Sequence, residues 1–282
     1  MKQWPLILFT LATQLACGLT LGATVFEMQA RPADAMLMRP LAMAIFPVVA
    51  MGILLSMAHL GRPLMAWRAV VNLGRSRLSL EVILTAGFAL LALAYSGFWW
   101  MGRTDGRLLL GAVTSLAGIA AVIAGAALYT VPTQPAWNSG WVPASFLGTA
   151  VLLGGLAPAV LISWRGNTGL LRVFLGATLT GSLLLLIAVL WMMANLSRRA
   201  RDPFTAARVA CLLQLLTSRN SLWLGCYVAL VSVLPAAVAV RLWPGERVEI
   251  TPFAGAMLAA VVLGTAIGRA MMYWLGAWYE PF

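Results

Sequence analysis

The sequence predicts an all-α integral membrane protein, a bundle of eight transmembrane helices, on three observations. Of its 282 residues, 62% are hydrophobic and 10% charged, and the mean hydropathy is +0.91. A soluble domain is about half apolar and about a quarter charged, so this chain has too little polar surface to face water. Eight apolar runs each reach the roughly 20 residues that cross ~30 Å of hydrocarbon at about 1.5 Å per residue. Tryptophans gather at the ends of those runs, at Trp4, Trp99, Trp100, Trp164, Trp191, Trp223, Trp243 and Trp274, where an interfacial aromatic belt places them.

The first span, Trp4 to Phe26, follows Lys2 and has full spanning length; it is expected to stay in place, because a cleaved leader has a shorter apolar core and a small-residue cleavage site. The second runs from Pro40 to Ala58 and the third from Leu80 to Trp100. The fourth, Leu108 to Tyr129, and the fifth, Val142 to Ser163, read at first as one uncharged block. Between them Val131 to Trp141 carries polar residues and two prolines, which break the block into two spans. The sixth covers Leu171 to Asn195, the seventh Ser221 to Val240 and the eighth Pro252 to Trp274. No connection is long enough to fold by itself, so residues 1–282 are read as a single transmembrane domain. Gln14, Gly18 and Gly22 in the first span are read as helix-packing residues.

Charge and cysteine content narrow the function classes. The chain has 19 basic residues against 8 acidic ones, a formal net charge of +11, and among the bases only Lys2 is not arginine. In a soluble protein that balance points to nucleic acid; here the arginines stand between apolar runs, where they anchor connections at headgroups, and no nucleic-acid partner is expected. With both termini on one side, the basic residues divide almost evenly between the two faces, so charge does not orient the bundle. The three cysteines, Cys17, Cys211 and Cys226, stand singly, whereas an iron–sulfur cluster takes four thiolates at short spacings. One histidine in the whole sequence argues against a haem held between two imidazoles. No cluster, haem or metal is expected within this protein.

An ionisable group in or beside a span costs a few kcal/mol on insertion scales, which makes each one a functional candidate. His59 ends the second span in Met57-Ala58-His59-Leu60-Gly61-Arg62-Pro63, Glu81 opens the third in Leu78-Ser79-Leu80-Glu81-Val82, and Arg269 lies near the end of the eighth. An eight-span topology carries all three to the same face of the bilayer, together with the turn from Tyr129 to Trp141. A histidine and a carboxylate at a lipid boundary suit quinol oxidation: the hydroxyls need hydrogen-bond acceptors, and the protons need a relay to water. Imidazole, titrating near pH ~6.5, is suited to the relay. Each residue also has a plainer reading. His59 can cap its helix, and Glu81 can complement a helix N-terminus beside Ser79. Arg269 can snorkel to headgroups, and Tyr129, Pro135 and Trp137 can be turn and belt residues.

The stretch HLGRPLMAWRAVVNLGRSRLSLE, His59 to Glu81, resembles the HLG-x-P…A…G-x-S-x-LS-x-E segment of the membrane-anchor subunit of anaerobic dimethyl sulfoxide reductases. The opening Trp4-Pro5-Leu6 with Phe9-Thr10, the segment Tyr129…Pro135-x-Trp137-Asn138…Phe146, and Ile267-Gly268-Arg269…Tyr273 are similar to the same family. The resemblance implies a haem-free, multi-pass anchor in the bacterial inner membrane that oxidises menaquinol. It implies as partners an iron–sulfur electron-transfer subunit and a molybdopterin catalytic subunit that reduces S-oxides or N-oxides. On this reading the protein is a non-terminal subunit of an oxidoreductase complex and not a complete enzyme. His59 and Glu81 match the family's quinol residues, Arg269, Tyr129 and Trp137 are expected to join them, and both termini fall on the extracytoplasmic side. The sequence departs from the family at Thr265, where a carboxylate tends to precede the final Gly-Arg. Two other classes compete: a small secondary transporter, which calls for charges near the bilayer midplane and paired broken helices, and a purely structural anchor that binds no quinone.

Overall fold

The computed structural model describes residues 4–29, 35–58, 65, 68, 76–132, 136–163, 168–199, 201, 221–243 and 251–277. Eight spanning helices follow in sequence order. They are α1 Trp4–Gln29, α2 Ala35–Met57, α3 Arg77–Met101, α4 Arg107–Tyr129, α5 Trp141–Ser163, α6 Thr168–Arg199, α7 Ser221–Leu242 and α8 Thr251–Ala277. All eight are long and apolar enough to cross a bilayer, and no strand occurs among the described residues. The expected spans therefore stand, with shifted ends. The largest shifts come where α2 starts upstream of Pro40 and α6 extends beyond both of its expected limits.

Proline lies inside α2, α5 and α7 without ending them. In α2, Pro40 and Pro47 lie inside the helix, and a neighbouring hydroxyl meets the backbone just before Pro47. The Ser96 hydroxyl of α3 donates to the Ala42 carbonyl at 2.9 Å and accepts from the Phe46 amide at 3.3 Å. A hydroxyl thus bridges an i→i−4 pair, which keeps both groups satisfied where water is absent. In α7 the helix widens into a π turn at Ala229–Val233, with the Leu234 amide bonding the Ala229 carbonyl. Pro235 follows immediately and has no amide hydrogen for the carbonyl four residues before it, and the wider turn absorbs that defect.

The centre of the bundle is the crossing of α1 and α5, the two most covered helices. A side chain at Gly18 would run into the Ala150 carbonyl and stand 2.8 Å from the Gly154 nitrogen; one at Gly22 would stand 2.7 Å from the Gly154 carbonyl oxygen. Only hydrogen fits, and the two backbones come into contact as small-residue stripes allow in lipid. On its other side α5 meets α6 in the same manner, through Gly155 against Thr178. The packing role expected of Gly18 and Gly22 is seen directly.

Buried threonines satisfy their hydroxyls within their own helices, as in Thr13 to Phe9, Thr20 to Ala16, Thr149 to Ser145 and Thr178 to Phe174. Such bonds leave no hydroxyl of these four stranded in the apolar interior.

The helix ends form two rims. On the rim away from the start of α1, Arg107 pairs with Glu27 at 2.9 Å and its guanidinium lies 3.8 Å from the centre of the Trp99 ring. Trp99 is buried, while Trp4, Trp100, Trp191, Trp223 and Trp243 are exposed. Those five face outward, as a belt requires, whereas Trp99 covers an ion pair. Trp164 and the side chain of Trp274 lie outside the described residues. The starts of α1, α3, α5 and α7 meet the ends of α2, α4, α6 and α8 at the opposite rim, which carries the candidate site.

Candidate functional site

Glu81 stands one turn inside α3, whose first residue is Arg77. It lies past the first turn, so complementing the helix N-terminus does not explain it, and Ser79 is not the cap, because the residue before the helix is Ser76. Arg77 does a different job: its guanidinium donates to the carbonyls of Ala127 at 2.9 Å and Thr130 at 2.7 Å, closing the C-terminus of α4 as a basic side chain can. That clasp fixes the start of α3 against the end of α4. Glu81 is 7% exposed, and among the described residues nothing donates a hydrogen bond to its carboxyl. Room for it comes from Gly125 of α4, where an added side chain would stand 3.1 Å from Glu81 Oε1.

The carboxyl lines a small cavity between α1, α3, α4 and α5, walled by Thr10, Gln14, Thr85, Val122 and Phe146 among others. Its wall mixes hydroxyls and an amide with apolar side chains.

Arg269 lies about two turns inside the end of α8 and is 4% exposed; it faces the bundle interior and does not snorkel. Its guanidinium donates to Gln14 Oε1 at 2.9 Å, reaches Ser145 Oγ at 3.5 Å, and lies 3.6 Å from the centre of the Phe146 ring. No carboxylate among the described residues pairs with it. Thr265, one turn earlier, turns its hydroxyl back to the Val262 carbonyl at 2.8 Å. Arg269 lines a second, larger cavity between α5, α6, α7 and α8, with Trp141, Thr149, Tyr227 and Thr265. The expectation that Arg269 and Glu81 share one pocket is therefore modified: they occupy adjacent chambers, with Gln14 and Phe146 between them.

An aromatic group closes the rim over this partition. The Tyr129 and Tyr273 hydroxyls share a hydrogen bond, and Tyr129 packs edge-on against Trp137 and Tyr273 with ring centres 5.4 and 5.5 Å apart. Trp137 Nε1 donates to the Met272 carbonyl at 2.8 Å. Tyr129 and Trp137 thus tie the fourth connection to the end of α8 and sit beside both chambers without lining either. His59 and Pro135 lie outside the described residues. The sequence reading missed Gln14 as a site residue; its signal was an amide inside an apolar span, and what that amide faces belongs to the tertiary structure.

The family model for the DMSO reductase anchor subunit (DmsC) matches residues 1–275. The protein belongs to the DMSO reductase anchor subunit family. It is similar to the anaerobic dimethyl sulfoxide reductase polypeptide YnfH of Escherichia coli (strain K12), 25% identical over 283 residues that cover 97% of this sequence and 94% of that protein. It is 29% identical over 161 residues to the C subunit of the anaerobic dimethyl sulfoxide reductase of Haemophilus influenzae, covering 55% of this sequence and 56% of that one. The corresponding C subunit from Escherichia coli (strain K12) is 27% identical over 176 residues, covering 59% and 60% respectively. With eight spanning helices and this family, the protein is a multi-pass membrane anchor of a reductase complex.

Proposed function

We propose that this anchor oxidises menaquinol at the Glu81 cavity and passes the electrons to an iron–sulfur subunit, which feeds a molybdopterin subunit reducing S-oxides or N-oxides, in the bacterial inner membrane. One observation carries the reading: a buried carboxyl, without a hydrogen-bond donor among the described residues, lines a cavity inside a membrane bundle. A carboxyl in that setting is expensive to bury, and accepting a proton from a substrate hydroxyl accounts for keeping it.

Oxidation of one quinol breaks two O–H bonds and releases two protons and two electrons. Glu81 is the acceptor for one proton. His59, which precedes Glu81 by one interhelical connection, accepts the other and relays it to water. The electrons leave to the metal centres of the partner subunit. Thr10, Thr85 and Phe146 shape the cavity so that the ring presents its hydroxyls to Glu81, and the tail remains in lipid.

The test uses the intact complex in membranes. Glu81→Gln keeps the shape and removes the base, so quinol-dependent acceptor reduction is expected to fall by about 10²–10⁴-fold, the usual contribution of a general base, and His59→Ala to fall similarly. Reduction driven by an artificial dye that donates to the partner subunits should be unchanged in both. Quinol turnover at the parental rate in both variants overturns the assignment.

A further inference from the structure

Gln14 is 1% exposed and stands between the two chambers. An arginine offers donors only, so the atom facing the Arg269 guanidinium at 2.9 Å is necessarily the amide oxygen. That fixes the otherwise ambiguous orientation of the amide and turns its Nε2 away from Arg269. This nitrogen has no hydrogen-bond partner among the described residues, and Gln14 forms part of the wall of the Glu81 cavity, which Arg269 does not line. Leaving a buried amide donor unmade is costly, so an orphan held in place by a charged neighbour is a donor waiting for an acceptor.

We propose that Gln14 is a binding residue for the ring, donating from Nε2 to a ring oxygen of the quinone or quinol in the Glu81 cavity, and that Arg269 is a positioning residue acting through Gln14. This rests on the reading of the cavity as the quinol site. The pair sorts the chemistry of the cavity wall: Glu81 supplies an acceptor for a proton that leaves, and Gln14 supplies a donor to an oxygen on which negative charge develops as it leaves. Because Arg269 polarises the amide from behind, the Nε2 donor is stronger than that of an unassisted glutamine. The Arg269 charge therefore favours the deprotonating ring without touching it.

The test is binding of a short-chain naphthoquinone to the purified complex, read by equilibrium titration and by the infrared stretch of the ring carbonyls. Gln14→Glu is the decisive variant, because it preserves an acceptor for Arg269 and removes the donor. The parental complex is expected to bind the naphthoquinone with a carbonyl stretch lowered by hydrogen bonding. Gln14→Glu is expected to bind about tenfold more weakly and to lose that lowering, while Glu81→Gln retains it. Gln14→Met, which keeps length and lacks the donor, gives the same two readouts if the acidic variant does not assemble. Unchanged affinity and an unchanged carbonyl stretch in these variants overturn the role of Gln14 and leave the Glu81 site standing. A parental complex that binds no naphthoquinone overturns the site itself, and Gln14's role with it.

Discussion

Gly125 is the residue on which the Glu81 cavity depends most simply. Its missing side chain is what lets the carboxyl sit against α4, since an added carbon would stand 3.1 Å from Oε1. Gly125→Val is therefore expected to displace the carboxyl and fill the cavity, abolishing quinol-dependent turnover while the complex still assembles. Co-purification of the partner subunits together with quinol and dye assays would check both halves. Full quinol turnover in that variant contradicts the placement of the carboxyl. At this scale the sequence was informative about residue type and silent about pairing. Glu81 and Arg269 are conspicuous because charge inside a span is costly. That Arg269 is held by Gln14, 255 positions away, follows from no spacing rule, since helices distant in the sequence are brought together only by packing. For the same reason their expected common pocket resolves into two chambers.

Among elements, the α1–α5 crossing is the feature most sensitive to a single change. Gly154 meets Gly18 backbone to backbone, and a branched side chain has no rotamer that escapes. Gly154→Leu is expected to cost at least about 1–3 kcal/mol, as overpacked cores do, and to show as loss of the assembled anchor in detergent size-exclusion chromatography. Ser96→Ala is gentler: it leaves the Ala42 carbonyl and the Phe46 amide without their bridge and should lower thermal stability by about 1 kcal/mol. The spans themselves were legible because ~20-residue apolar runs admit few other structures. The start of α2 was not. Arg39-Pro40 reads as a helix boundary, yet the helix continues upstream of it. The guanidinium of Arg39 reaches the Trp100 carbonyl at 2.7 Å, so the charge is accommodated at the rim.

For the whole molecule, the division into two rims separates stability from function. The Glu27–Arg107 pair and its Trp99 cover belong to the rim opposite Glu81, so their loss should weaken the fold without altering the quinol site. Arg107→Ala leaves Glu27 uncompensated, and breaking a buried pair costs about 3–5 kcal/mol; with both partners slightly exposed, the lower part of that range is expected. Thermal unfolding should register the change, while naphthoquinone affinity stays at the parental value. The measurement that bears most directly on the central claim is reduction of the partner's metal centres by added menaquinol, followed by electron paramagnetic resonance in membranes carrying the intact complex. The account predicts rapid reduction in the parental complex and essentially none in Glu81→Gln, with dithionite reducing the same centres fully in both. Equal rates of reduction by menaquinol in the two would contradict it.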